Sequence, residues 1–301
     1  MSDAVWSLET YLKVCLQSVE AALDSFLPKA STLPGSLHDS MRYSVFAGGK
    51  RIRPVLMAAA CEAVGGEREG VLPAAAAIEM IHSYSLIHDD LPAMDDDDFR
   101  RGKPTNHKVY GEAVAILAGD GLLTEAFILL SNPQVLPSVS GVDRLEIIHH
   151  LSRAAGSLGM VGGQVVDMES EGKKIDLPTL EYIHTHKTGA LILAAIEIGA
   201  IIGGADATQR RALHRYGEAA GLAFQVADDI LDIVADQSLL GKDVGSDQER
   251  GKATYPALLG LEGARQRARD LRDMAFTALE PLGAAAQPLR EIATYIIDRS
   301  F

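Results

Sequence analysis

Long stretches rich in Ala, Leu, Ile, Glu and Arg occupy most of this chain, and strand-like alternation of Val, Thr and aromatic residues between close turns is scarce. The first group suits a helix at little cost in side-chain freedom, whereas the second pattern is what a half-buried strand needs, so the sequence predicts an all-α fold. Helices are expected over Val5 to Ser25, Leu37 to Val45, Arg53 to Val64, Ala74 to Asp90, Gly111 to Ser131, Arg144 to Ser170, Thr179 to Gly203, Ala207 to Ala235 and Ala253 to Leu279. The strongest loop signals, Pro28 to Gly35, Asn132 to Gly141 and Ala284 to Pro288, do not combine length and composition as an interdomain linker would. A single domain over residues 1–301 is the expectation.

A net charge of −13 on a chain that is 47% hydrophobic excludes a disordered polymer. Without a basic tail it also argues against a nucleic-acid partner, because phosphate backbones are held by clustered Lys and Arg. Cys15 and Cys61 lie far apart and outside any C-x-x-C or His-rich context, so neither a disulfide nor a thiolate zinc site is expected. The N-terminal MSDAVWSLETYLK has no basic run before an apolar one and is not an Arg- and Ser-rich leader, so the expected location is the cytoplasm. The most apolar window, Ala190 to Gly204, is interrupted by Glu197 and falls short of the roughly 20 residues that span a bilayer. No membrane span is expected, and the window is assigned to a core helix.

Two acidic motifs interrupt this apolar background. In the second, Asp228 and Asp232 are four residues apart and share a helix face, with Asp229 beside them. Two unit charges about 4 Å apart repel by about 1 kcal/mol in water and about 4 kcal/mol at an effective dielectric of 20, against a total fold stability of about 5–15 kcal/mol. The flanks, Phe224 to Ala227 and Ile230 to Val234, are too apolar for a solvated stripe, so something cationic is expected to offset the cluster. The first motif, His88 to Arg101, carries six Asp residues. Pro92 removes a helical hydrogen bond and is expected to kink or end the helix, swinging Asp95 and Asp96 back toward Asp89 and Asp90. Mg²⁺ takes one or two carboxylates and fills its remaining positions with water and phosphate oxygens. A lone Asp run is more often a solvated loop; two matched runs on apolar helices favour a diphosphate clamped by Mg²⁺. No EF-hand loop is present.

Cations answer the acids in three groups. Gly48 and Gly49 precede Lys50, Arg51 and Arg53, and Pro54 suits the opening of a helix. Arg100 and Arg101 follow the first acidic motif, and Lys242 and Lys252 follow the second. Arginine forks take phosphate oxygens bidentately and lysine acts as a point charge. Any one group alone is more often salt-bridge material, and none is a Walker P-loop.

GGKRIRP, HDDLPAMDDDDFRRGKPTNH, GMVGGQVVDM, HKTGALI, FQVADDILD and GKDVGSDQERGKATYP occur in the order, and at about the spacing, of the trans-isoprenyl diphosphate synthases. Over about residues 40–260 the chain resembles that family, and in particular its bacterial farnesyl diphosphate-forming members. The resemblance implies an all-α, single-domain helical bundle around a central cavity, in a homodimer, with the two Asp motifs facing each other across the mouth. It also implies an allylic diphosphate held through three Mg²⁺ ions, with Mn²⁺ as a substitute, and isopentenyl diphosphate as second substrate. By carry-over the metal-binding face is Asp89, Asp95, Asp228, Asp229 and Asp232, with Asp90 and Asp96 as alternates in an ambiguous register. Arg100, Lys187, Lys242 and Lys252 match allylic diphosphate contacts, and Lys50, Arg53, His82 and Arg101 match the isopentenyl diphosphate site.

Residues of these types suit ionisation of an allylic diphosphate, since cations stabilise the departing pyrophosphate. The carbonyl of Lys187, the hydroxyl of Thr188 and the amide of Gln225 match the groups near the resulting carbocation, and pyrophosphate is the expected proton acceptor. Tyr84 lies five residues before Asp89, where in similar synthases a bulky aromatic, with the extra Pro-Ala pair of the first motif, closes the chain-binding cavity near fifteen carbons. The expected product is farnesyl diphosphate, although a Tyr in that position is also ordinary core packing. Gln164 and Asp167 either line the cavity or flank a Gly162-Gly163 pair that serves close helix packing. His88, His149, His150, His184 and His186 lack metal-ligand spacing and are assigned structural roles, and Met57, Met80 and Met160 are assigned to the core. The alternatives are a geranylgeranyl diphosphate synthase, against which Tyr84 argues; a class I terpene cyclase, which would lack GGKRIRP; and a non-catalytic prenyl-diphosphate-binding partner subunit, which would have lost motif residues.

Overall fold

The computed structural model describes residues 6–234 and 253–298. Among them the helices are α1 (Leu8–Phe26), α2 (Gly35–Val45), α3 (Ile52–Ala63), α4 (Leu72–Asp89), α5 (Asn106–Tyr110), α6 (Glu112–Ser131) and α7 (Gly141–Ala155). They continue with α8 (Met160–Ser170), α9 (Leu177–Ile183), α10 (Ala190–Ile202), α11 (Ala207–Val234), α12 (Tyr255–Ala278) and α13 (Gln287–Asp298). A π-helical turn, His184–Gly189, joins α9 to α10, and 3-10 segments occupy Arg68–Val71 and Glu280–Ala286. The all-α expectation holds.

Local chemistry sets the helix starts. The side chains of Ser7, Ser140, Asp176 and Thr254 each accept from a backbone amide three residues on, capping α1, α7, α9 and α12. The core is a layer of α3, α4 and α10, flanked by α6, α7 and α11. Met57, Ile78, Met80, Ile81, Ile196 and Ile198 are fully buried there, each contributing roughly 1.5–3 kcal/mol of transfer free energy. Helices α3 and α10 approach closely because Gly199 has no side chain: a Cβ there would sit 2.2 Å from the Met57 carbonyl oxygen.

Several elements differ from the sequence expectation. The single helix expected from Arg144 to Ser170 is two, α7 and α8, broken between Gly156 and Gly159; a Cβ at Gly159 would lie 2.2 Å from the Ala154 carbonyl oxygen. Residues 99–104 form a hairpin, β1 (Phe99–Arg100) against β2 (Lys103–Pro104), whose two-residue loop Arg101-Gly102 has positive φ at both positions, as a type I′ turn requires. The Ala284 to Pro288 loop expectation is replaced by the end of a 3-10 segment and the start of α13. Leu289, Ile292, Ala293, Ile296 and Ile297 give α13 an apolar face with helical spacing, and that face is buried.

The segment Ala190 to Gly204 is the expected core helix, α10, with Leu191, Ile192, Ala194, Ala195, Ile196 and Ile198 buried. Three helical stretches do reach membrane-spanning length and apolarity: Arg68–Asp89, Glu112–Ser131 and Leu177–Ile202. The first is spent on the core, its apolar window being 72% buried. The window in Glu112–Ser131 is only 39% buried, and Ile116, Leu117 and Ile128 on α6 are about half exposed.

Candidate active site

The site grows from the C-terminal end of α4. After Asp89 the amides of Asp90 and Leu91 still bond back to the carbonyls of Leu86 and His88, at 3.2 Å each, and the chain then turns. Pro92 cannot donate, and the turn closes with the Asp95 amide donating to the Asp89 carbonyl at 2.8 Å. The expected return of Asp95 toward Asp89 is therefore in place. Burial raises the Asp89 carboxyl to about 6; Lys187 and Arg100 oppose the rise, and Asp95 and Asp90 add to it. Asp90 is also raised by burial, against its two-pronged contact with Arg100, Nε at 2.6 Å and Nη2 at 2.5 Å. Asp97 holds the same guanidinium at 3.3 Å.

On α11 the second motif divides its work. Asp232 is 3% exposed. Asp229 Oδ2 accepts from the Tyr255 amide at 2.8 Å and lies 3.1 Å from His184 Nε2, so that oxygen ties α11 to α12 and to the π turn. The Gln225 amide nitrogen lies 3.4 Å from His184 Nδ1, which fits an imidazole donating to Asp229 through Nε2 and accepting through Nδ1. Asp228 acts on Arg53 more weakly than burial, Glu79 and Arg101 do, so the second motif is within electrostatic reach of the first basic group.

A cavity of 550 Å³ brings together Arg53, His82, Tyr84, Asp89, Lys187 and Thr188, with an apolar interior that includes Met94, Met160 and Met168. Met160, expected as core filler, is buried in the core at 6% exposure and also forms part of the cavity wall. Lys187 donates to Asp167 Oδ2 at 2.6 Å; burial depresses its ammonium, but Asp167, Asp89 and Asp95 outweigh this and its pKa is raised. Of the two readings of residues 162–167, the packing one holds, and the cavity-lining one holds for Gln164 but not for Asp167, which is paired with Lys187. A Cβ at Gly163 would lie 2.2 Å from the Lys187 backbone nitrogen, so close packing of α8 on the π turn requires glycine, while Gln164 lines the cavity with neither amide atom hydrogen-bonded among the described residues. Tyr84 is 7% exposed, and burial, with Asp89 nearby, pushes its phenol up to about 12.

The basic side is held by backbone geometry. Arg101, at φ 54°, donates to the Gly48 carbonyl, and its guanidinium fills the space that a side chain at Gly49 (φ 128°) would take. His82 is driven well below the usual histidine range, first by burial and then by Arg53, Arg101, Arg100 and Arg51, which keeps the imidazole neutral. Arg53 is depressed mainly by burial, and its Nε has no hydrogen-bond partner among the described residues. Arg51, grouped by the sequence with the cations that answer the acids, is instead a strut: at φ 49° it buries its guanidinium on Glu79 Oε1 at 2.6 Å and on the Val45 carbonyl at 2.5 Å. His88 is likewise a wall element, 3.0 Å from the Ile116 carbonyl and edge-on to Tyr84. Lys50 is not in the cavity wall; it is exposed, with its ammonium 5.8 Å from the centre of the Tyr295 ring. Lys242 and Lys252 lie outside the described residues.

Among the described residues no three His, Cys, Asp or Glu side chains form a complete metal cage. A few partly buried carboxylates that repel one another, next to an open cavity, fit a hard cation such as Mg²⁺ whose shell phosphate oxygens and water complete.

An all-α bundle with carboxylates and cations gathered at an apolar cavity defines a class of helical enzymes acting on anionic, chain-bearing substrates. Residues 34–281 match the polyprenyl synthetase family model. A farnesyl diphosphate synthase of Geobacillus stearothermophilus is 54% identical over 264 residues, 87% of each chain. That of Escherichia coli K12 is 49% identical, covering 96% of this chain and 98% of the other. The crystal structure described as an FPP/GFPP synthase from Zymomonas mobilis superposes with a TM-score of 0.86 at 42% identity, over 96% of this chain and 98% of that one. The chain belongs to the polyprenyl synthetase family, and as an enzyme it is a trans-prenyltransferase.

Proposed function

We propose that this protein condenses isopentenyl diphosphate head-to-tail with dimethylallyl and then geranyl diphosphate, giving (2E,6E)-farnesyl diphosphate and pyrophosphate. The observation that carries this reading is the turn after α4, which holds Asp89 and Asp95 together beside a 550 Å³ apolar cavity walled by Tyr84. Asp89 and Asp95 from one side and Asp228, Asp229 and Asp232 from the other would hold Mg²⁺, three ions in this reading. Of these, Asp229 has one oxygen already committed to Tyr255 and His184. When held there, Mg²⁺ would supply positive charge that offsets the diphosphate and favours its departure.

The chain's own groups do the rest. Lys187 and Arg100, both held by carboxylates, stand ready as point charge and fork for the allylic diphosphate. By the family resemblance, Lys50, Arg53, His82 and Arg101 take isopentenyl diphosphate, and Lys242 and Lys252, which lie outside the described residues, are assigned to the allylic diphosphate. The Lys187 carbonyl, the Thr188 hydroxyl and the Gln225 amide present partial negative charge to the allylic cation without trapping it. The apolar walls exclude water, so the isopentenyl double bond attacks instead, and pyrophosphate accepts the released proton.

The reading includes one polyprenyl synthetase domain over residues 1–301, a cytoplasmic enzyme and a homodimer. The exposed Ile116, Leu117 and Ile128 on the half-buried helix α6 support a second copy packed on that face. Incubation with radiolabelled isopentenyl and geranyl diphosphates in Mg²⁺ tests the reaction: a C15 product is expected, and a C20 product would favour the geranylgeranyl alternative.

A further inference from the structure

The π turn His184–Gly189 faces two cavities. Lys187 and Thr188 line the cavity described above, whereas Thr185, His186 and Gly189 line a second, larger one of 1180 Å³ bounded by α10, α11 and α12. A π turn inserts one residue into the helical repeat and so turns successive side chains to different sides. Nothing in the condensation chemistry uses the second cavity.

Its walls are apolar, with Leu193, Leu222, Leu271 and Met274 among them, and two arginines of α11, Arg211 and Arg215, stand one turn apart on the lining. The carboxylates of the same lining are engaged: Asp273 with Arg272 at 2.9 Å, Asp270 with Gln266 at 2.7 Å and Glu218 with His214 at 3.5 Å. A third arginine, Arg267, is taken by Glu181 at 2.9 Å. Arg211 donates only to the Thr208 hydroxyl, at 3.1 Å, and among the described residues neither Arg211 nor Arg215 has a carboxylate at ion-pair distance. Two uncompensated guanidinium forks beside an apolar trough match a ligand with an anionic head and a hydrocarbon tail.

We propose that this groove binds a prenyl diphosphate outside the condensation site, the diphosphate on Arg211 and Arg215 and the chain along Leu193, Leu222 and Met274. The choice of occupant rests on the proposed function, which makes such a molecule the amphiphile the enzyme itself releases. Binding here needs no divalent metal, because Arg211 and Arg215 meet the head directly, while Glu218, Asp270 and Asp273 of the same lining keep to their own partners. The groove is wired to the second acidic motif: Glu181 Oε1 takes both Arg267 and the Tyr255 hydroxyl, at 2.9 and 3.0 Å, and the Tyr255 amide holds Asp229.

Photolabelling tests the site. A diazirine-bearing farnesyl diphosphate analogue is irradiated with the full-length protein in EDTA, with excess isopentenyl diphosphate to fill the cationic half of the condensation site, and the labelled peptides are mapped by mass spectrometry. Adducts on α10, α11 and α12 are expected, reduced about tenfold in Arg211→Glu/Arg215→Glu, since each charge-assisted contact is among the stronger hydrogen bonds. The same variant, altered only at exposed side chains, should keep wild-type condensation in Mg²⁺ and wild-type thermal unfolding. Adducts confined to α4 and α8, labelling that survives the charge reversal, or displacement by palmitate as effective as by farnesyl diphosphate would overturn the proposal. Wild-type protein that labels in the groove yet makes no product would keep the site and overturn the condensation reading instead.

Discussion

The amide of Asp95 donates to the carbonyl of Asp89 at 2.8 Å, across a turn that begins where Pro92 stops α4. That one bond sets the register of the Asp run. It brings the first Asp after the Pro-Ala-Met spacer, rather than Asp97 or Asp98, beside the helix terminus, while Asp97 and Asp98 face Arg100 and Lys108.

Register makes the first prediction. Asp89→Asn and Asp95→Asn should each lower kcat for condensation by about 10²-fold or more, the scale of losing one electrostatic group in a transition state. Asp98→Asn, which removes only the exposed pair with Lys108, should leave kcat within about twofold. Steady-state kinetics on the three variants would check this, and equal losses at all three positions would contradict the assignment.

Tyr84 tests the cavity floor. Tyr84→Ala opens space beside His88 and should shift the product distribution toward chains longer than fifteen carbons, read by chromatography after dephosphorylation. An unchanged distribution from purified, folded variant would remove Tyr84 as the length determinant.

Lys187 depends on Asp167. Because that carboxylate helps raise the ammonium against the effect of burial, Asp167→Asn should lower the Lys187 pKa. The alkaline limb of the kcat/KM profile against pH should then move to lower pH. A variant that loses activity uniformly at all pH values would indicate a purely structural role.

On the far face, His150 Nδ1 meets Glu197 at 2.8 Å, and His214 meets the same carboxylate at 2.7 Å. Hydrogen bonding to Glu197 raises the His150 pKa despite the opposing effect of burial; its stabilising contribution is complete below about pH 6.5 and fades as pH rises through the raised value. Glu197 is depressed because its two histidines outweigh burial, so its contribution is present above about pH 4.3 and is lost as pH falls through the depressed value. Denaturant unfolding of Glu197→Gln should therefore show a deficit of about 1 kcal/mol between about pH 5 and 6.5 that shrinks toward pH 8.5. A deficit independent of pH would point to packing instead.

Much of this molecule is legible in the sequence because its main signals are local. Helical periodicity, the proline after Asp90 and the glycines before Lys50 act within a few residues of themselves, and they predict α4, the returning turn and the basic loop. What is not legible depends on contacts far apart in sequence. The partner of Arg51 is Glu79, that of Asp229 is the Tyr255 amide, and that of Lys187 is Asp167, and no spacing rule names such pairs. The π turn has the same origin. Its residues look like ordinary helix, and their distinct backbone form goes with close packing against Gly163 and Gly221. Helix α13 was hidden for another reason: the Gly and Pro around residues 281–288 are loop signals, and here they shape a 3-10 segment and a helix start.

The central claim is that carboxylates at the cavity mouth act through divalent ions on a diphosphate. Its most direct measurement is isothermal titration of a non-ionisable thiodiphosphate analogue of geranyl diphosphate into the protein, with Mg²⁺ and with EDTA, in wild type and in Asp89→Asn. Tight binding that requires Mg²⁺ and weakens at least tenfold in the variant is expected; equal affinity with and without Mg²⁺, unaffected by Asp89→Asn, would contradict it.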